Sequence, residues 1–111
     1  MIYSKFSHIP SIACALSDRD VLTLEIAQLE SADIVELRVD MFENIDDKHI
    51  LKIFSTVKER FNKPIIATIR DISEGGQKEI KDRINLYKIV APFSDFVDIE
   101  INSEIFGDIK K

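Results

Sequence analysis

What most constrains this chain is a regular alternation of short β-rich runs with longer segments of helical spacing. The β-rich runs fall at residues 11–16, 33–39, 64–69 and 96–101. Between the second and third, Ile50, Phe54, Val57 and Phe61 recur at i, i+4, i+7 and i+11, the apolar stripe of a helix lying on a sheet. Ile80, Ile84, Tyr87 and Ala91 repeat that spacing, and Leu22, Ile26 and Leu29 make a shorter stripe. Punctuation agrees: Ser17 or Asp18 can cap the first helix and Asp46 or Asp47 the second. Pro64 opens the third strand, Gly75-Gly76 precedes the third helix, and Pro92 ends it. The order is thus β-α-β-α-β-α-β, with the start of a fourth helix near Ser103. Such alternation demands parallel strands joined by right-handed crossovers, in an open doubly wound sheet or in part of a (β/α) barrel.

Strand faces separate those two. Alternate residues share a face. In the second strand Ile34, Glu36, Arg38 and Asp40 oppose Val35, Leu37 and Val39. In the third, Ile66, Thr68 and Arg70 oppose Ile65, Ala67 and Ile69; in the fourth, Phe96, Asp98 and Glu100 oppose Val97, Ile99 and Ile101. Each has one aliphatic face and one that turns charged toward its C-terminal end. A doubly wound sheet is covered on both faces and reads as near-continuous apolar runs. A barrel turns its polar strand ends into a mouth where chemistry sits. The charges favour the barrel.

Those inward charges are unbalanced. Glu36, Asp40, Asp98 and Glu100 face inward and Glu74 can reach the mouth, against Arg38 and Arg70 alone. The imbalance calls for a further cation: a metal, a substrate, or basic residues from elsewhere. Asp98 and Glu100 could be metal ligands, but the two arginines would repel the ion, so no metal and no cofactor are expected. No lysine lies on an expected strand, and His8 and His49 read as ordinary surface histidines.

Composition bounds the rest. Twenty acidic and fifteen basic side chains give a net charge of −5, against a nucleic-acid binder. The apolar runs are too short to span a membrane, and the N-terminal MIYSKFSHIPS lacks the layout of a signal peptide, so a cytoplasmic location is expected. A single cysteine, Cys14, excludes an internal disulfide and reads as a small buried strand residue. The 111 residues suffice for one domain. A complete small barrel needs roughly 200–250. The chain therefore reads as one half-barrel over residues 1–111: four strands, three helices and a helical stub.

Three motifs carry a family resemblance. Ala32-Asp33-Ile34-Val35-Glu36-Leu37-Arg38-Val39-Asp40 resembles the second-strand signature of type I 3-dehydroquinate dehydratases. Lys63-Pro64-Ile65-Ile66-Ala67-Thr68-Ile69-Arg70, with Glu74-Gly75-Gly76 after it, resembles their third strand and Arg-x-x-x-Glu-Gly-Gly loop. Asp95-Phe96-Val97-Asp98-Ile99-Glu100 resembles their fourth-strand Asp-x-Glu. The three occur in the family's order and spacing over essentially the whole chain.

That resemblance implies an eight-stranded (β/α) barrel that dehydrates 3-dehydroquinate to 3-dehydroshikimate in the shikimate pathway. A lysine forms a Schiff base with the substrate ketone, the iminium serves as electron sink, and a histidine is the general acid–base group. By the same resemblance Glu36, Arg38 and Arg70 contact the substrate's polar groups, and Glu74 pairs with and orients the histidine. Asp98 and Glu100 are pocket acids that set the field around histidine and lysine. Asp40, suited to capping the loop that follows, stays outside the site. Some members carry a first-strand serine where this chain has Ala15, which receives no role.

The catalytic lysine and histidine belong to later strands, past Lys111. The resemblance therefore implies a chain inactive alone, whose partner is a C-terminal half-barrel. The alternative is a binding or assembly module in which exposed edges bring two copies together as a dimer, still without the lysine.

Overall fold

In the computed structural model, which describes residues 2–3, 10–76, 80 and 82–99, the expected alternation builds one parallel sheet with its helices on a single face. A short antiparallel pair comes first, β1 (Ile2–Tyr3) with β2 (Pro10–Ser11), which the periodicity did not announce. Then follow β3 (Ala13–Leu16), α1 (Asp18–Thr23), β4 (Ile34–Arg38), α2 (Asp47–Thr56), β5 (Ile65–Thr68), α3 (Arg83–Val90) and β6 (Phe96–Asp98). The sheet runs β3-β4-β5-β6 with every neighbour parallel. The start of a fourth helix near Ser103 lies outside the described residues.

Register lines up the faces. Cys14 pairs with Val35 and Val35 with Ile65; Leu37 pairs with Ala67 and Ala67 with Val97. This is the helix-covered face, where Val35, Leu37, Ile65 and Ala67 are wholly buried against Ile50, Ile53, Phe54, Val57, Tyr87 and Val90. Cys14 is partly buried against the same core. The opposite face carries Ala15–Glu36–Ile66–Phe96 in one row and Arg38–Thr68–Asp98 in the next. Ile34 and Ile66 on that face are buried too, but Glu36, Arg38 and Asp98 keep partial access to solvent and Phe96 is 42% exposed. Val97 on the edge strand stays 36% exposed, but over β4 and β5 one face is covered by helices while the other ends in charge, which is the barrel arrangement.

Local chemistry fixes the connections. Ser17 caps α1, accepting from the Asp20 N–H while the Asp20 carboxylate accepts from the Ser17 N–H. Asp46 caps α2 by accepting from the Lys48 N–H. The stripe Ile50, Phe54, Val57, Phe61 is buried along its whole length, although the helix widens over Val57–Phe61 and closes on a bond from the Asn62 N–H to the Val57 carbonyl. Asn62 ends it in the left-handed conformation, at φ 51°. The acid just before a strand also recurs as a device. Asp33 accepts from the Ile12 N–H at 2.8 Å, and Asp95 accepts from the Ile65 N–H at 2.8 Å while pairing with Lys58. Each satisfies a donor at the start of the neighbouring strand, where the ladder has none to offer.

The first helix departs from its expected stripe. It stops at Thr23, and a separate tight turn spans Ile26–Leu29. Val21 and Leu29 go into the core, while Leu22 and Ile26 are each 54% exposed. A single turn and a half cannot carry one stripe into the next segment once Leu24 has turned to extended backbone. Among the described residues no helix is long and apolar enough to cross a membrane.

Candidate functional site

The charged strand ends converge where register puts them. Arg38, Thr68 and Asp98 stand in one row at the C-terminal ends of β4, β5 and β6, with Arg70 two residues beyond Thr68. One row below, the Glu36 carboxylate reaches up to accept from the Thr68 hydroxyl at 2.7 Å. Thr68 is wholly buried, so this bond anchors Glu36 by its Oε2.

Both guanidinium groups are held by carboxylates. Arg38 Nε and Nη2 donate side-on to Asp40 Oδ1 and Oδ2, at 3.0 and 2.7 Å. That pairing is possible because the chain leaves extended geometry at Arg38 and turns tightly over Val39–Met41, which folds the Asp40 carboxylate back alongside. Asp40 is wholly buried, and its Oδ1 also accepts from the Arg70 N–H at 3.2 Å. The Asp40 hydrogen bonds hold Arg38 above the usual guanidinium range, against the opposing effect of burial, with the charges of Asp40, Glu36 and Asp98 adding to the shift. Arg70 Nη2 donates to Asp98 Oδ2 at 2.8 Å. With 25% and 44% of these two side chains exposed, the pair fixes direction more than it adds stability. Asp40, which alternation places on the same face as Arg38, thus touches both arginines.

Behind the row stands Tyr87, wholly buried on α3. Its hydroxyl accepts from the Ile69 N–H at 3.0 Å and donates to the Asp98 carbonyl at 2.7 Å. Arg83 Nε donates to the Ile69 carbonyl at 2.9 Å. The ends of β5 and β6, and with them Arg70 and Asp98, are thus tied to one helix. As a member of an apolar stripe Tyr87 gave no sign of this; the only signal was a phenol at a core position, which requires a partner for its hydroxyl.

The loop after β5 is compact. Asp71 accepts from both the backbone and hydroxyl of Ser73, a tight turn spans Ile72–Glu74, and Gly75 follows at φ 92°. Gly76 donates its N–H to the Asp71 carbonyl at 2.8 Å, and a Cβ there would lie 2.2 Å from the Arg70 carbonyl oxygen. The two glycines therefore serve different needs: left-handed backbone at Gly75 and close approach at Gly76. The side chain of Glu74 and the whole of Glu100 lie outside the described residues.

At the edge of the mouth Asp18 joins two loops. It is buried and accepts from the N–H groups of Arg19 at 2.9 Å, Glu43 at 3.0 Å and Asn44 at 3.4 Å, while His49 Nε2 donates to it at 2.8 Å. Burial pushes the Asp18 carboxyl up, but these four donors outweigh it and leave the group below its ordinary value. His49, expected to be a plain surface residue, is instead half-buried, edge-on to Phe42 with ring centres 6.4 Å apart.

Two directed guanidinium groups and an anchored carboxylate suit recognition of a small polar or anionic molecule. Among the described residues no group of three or more His, Cys, Asp or Glu side chains could hold a metal ion. A family model, type I 3-dehydroquinase, matches residues 11–111. The chain belongs to that family.

Relatives agree with this membership. A 3-dehydroquinate dehydratase of Thermodesulfovibrio yellowstonii is 49% identical over 96 residues, covering 86% of this chain and 42% of its own length. One from Aquifex aeolicus is 39% identical over 93 residues, again 42% of its length. The crystal structure of 3-dehydroquinate dehydratase from Aquifex aeolicus superposes with a TM-score of 0.75 at 34% identity, over 90% of this chain and 48% of that one. That of the type I enzyme from Clostridium difficile, with covalently modified comenic acid, gives 0.73 at 27% identity, over 83% and 40%. The sheet is thus part of a type I 3-dehydroquinase barrel, and this chain spans less than half the length of these relatives.

Proposed function

We propose that this type I 3-dehydroquinase chain supplies the substrate-gripping half of a 3-dehydroquinate dehydratase site. The observation that carries this reading is the pair of carboxylate-backed guanidinium groups, Arg38 on Asp40 and Arg70 on Asp98, at adjacent strand ends on the face the helices leave open. Arg38, Arg70 and Glu36 contact the hydroxyl and carboxylate groups of 3-dehydroquinate, and ionised groups already aimed at the ligand bind it with little further ordering. Asp98 keeps Arg70 in line, Glu100 adds to the pocket's negative field, and Glu74 orients the histidine that moves the proton.

The nucleophilic lysine and that histidine lie on the strands that complete the barrel. The lysine amine adds to the substrate ketone with loss of water to give an iminium. The iminium draws off the electrons left by the departing α-proton, a second water is eliminated, and hydrolysis of the product iminium takes back one water and frees the lysine. The reaction is that of a lyase in the shikimate pathway, in the cytoplasm. The chain alone, residues 1–111, is one half-barrel unit without turnover.

Mixing tests it. The chain is combined with the C-terminal portion of the Thermodesulfovibrio yellowstonii relative that lies beyond the matched segment, and formation of the conjugated enone product is followed by its ultraviolet absorbance. Turnover from the mixture, and from neither portion alone, is the expected result. Turnover by this chain alone contradicts the reading.

A further inference from the structure

The geometry points to Asp40 as a positioning residue that sets Arg38 and Arg70 at one fixed separation and direction for the ligand. This rests on the reading that the two arginines meet the substrate, and it goes further by assigning the residue that makes them act together.

Three observations carry it. First, Asp40 is bivalent. It takes the Nε and Nη2 edge of Arg38 from β4 and, through Oδ1, the backbone N–H of Arg70 from the end of β5. A carboxylate that touched only Arg38 would be a simple ion pair. One that also fixes the backbone from which the next guanidinium springs sets the distance between the two. Second, the pairing is side-on. Asp40 engages the Nε and Nη2 edge of Arg38 and does not engage Nη1, whose donors a ligand could take. Third, Asp40 has no exposed surface, while the Arg38 side chain is 19% exposed. The order is that of a buried anchor behind a partly open cation. A residue placed to bind ligand itself would have that exposure reversed.

In a continued strand, Asp40 would share a face with Arg38 two residues on but would not be folded back against its guanidinium. The turn over Val39–Met41 gives up that regular backbone and buries a carboxylate, which is unfavourable unless the anion is fully engaged. Full engagement is what the two oxygens show. Asp98, by comparison, is 44% exposed and meets Arg70 at its tip, so it can exchange that contact for solvent or ligand.

Three measurements test the proposal. In the full chain, the Arg38 Nε–H should show a distinct ¹H–¹⁵N resonance and exchange with solvent at least tenfold more slowly than an exposed arginine. An Arg38 Nε–H exchanging at the free rate overturns the proposal whatever any variant does. In the barrel completed with the Thermodesulfovibrio yellowstonii portion, Asp40→Asn should raise KM for 3-dehydroquinate roughly tenfold, with kcat changed by less than about threefold. The Asn amide would turn a donor toward the guanidinium where a carboxylate oxygen now accepts.

The third is a double-mutant cycle. If Asp40 acts through Arg38, then Asp40→Asn adds less than about twofold to KM once Arg38→Ala is present. Equal effects of Asp40→Asn with and without Arg38 show a general structural role and overturn the proposal. An unchanged KM in Arg38→Ala alone instead removes the underlying reading that Arg38 meets the substrate, so the two failures are told apart. If Asp40→Asn does not fold, the exchange measurement on the unaltered chain still decides.

Discussion

Replacing Asp18 with alanine costs about 3 kcal/mol of folding stability, measured by urea unfolding near neutral pH. The size follows from what the carboxylate holds. Removing it leaves three backbone N–H groups and the His49 ring nitrogen without their acceptor, at the joint between the start of α1 and the loop after β4. The stability of a domain this size is typically 5–15 kcal/mol, so the loss is a large part of the whole. A pH dependence accompanies it. The Asp18 group lies below the ordinary aspartate value of 3.8 in the folded chain, and Asp95 shifts the same way, where burial is opposed by Lys58 and the Ile65 N–H. A carboxylate lowered on folding contributes stability that is fully present above its unfolded value and is lost as pH falls through the folded one. Unfolding midpoints should therefore be flat from pH 7 to about 5 and fall below about pH 4. The fall should be shallower in Asp18→Asn, and an equally steep acid limb in that variant would show that the group is not responsible.

Phe54→Ala should be at least as damaging, at about 3–5 kcal/mol in the same measurement. Phe54 is wholly buried at the centre of the α2 stripe, among the largest side chains sealed between the helices and the sheet. The surrounding core is close-packed and spread over three helices, so a cavity there closes only in part. Phe96→Ala is the contrast: at 42% exposure on the open face it should change stability by less than about 1 kcal/mol. Equal losses in the two variants would contradict the assignment of a sealed outer face and an open inner one.

The architecture was legible because one physical demand, burying a helix stripe on one face of a sheet, writes itself at fixed spacing. Ile50, Phe54, Val57 and Phe61 were read from periodicity and are all buried. The stripe Leu22, Ile26, Leu29 failed because periodicity assumes a continuous helix, and α1 ends at Thr23. The charged row Arg38–Thr68–Asp98 was legible in part: alternation places side chains on a face, and parallel register brings the faces into line. Which charges meet was not legible. Alternation put Asp40 on the face of Arg38 but not against it; the turn after Arg38, which no residue pattern announces, makes the contact. The Asp18–His49 bond joins residues 31 apart, and Tyr87 reaches Ile69 from 18 away. Such links depend on how elements pack in three dimensions, and local pattern carries no record of them.

If this chain grips the substrate, the lysine that attacks it lies elsewhere in the barrel. Borohydride reduction in the presence of 3-dehydroquinate, read by intact-protein mass spectrometry, addresses it most directly. An unmodified mass is expected for this chain, both alone and in the completed barrel, with the reduced adduct found only on the complementing portion. A stable substrate adduct on any lysine of this chain that forms at the rate of turnover would contradict it.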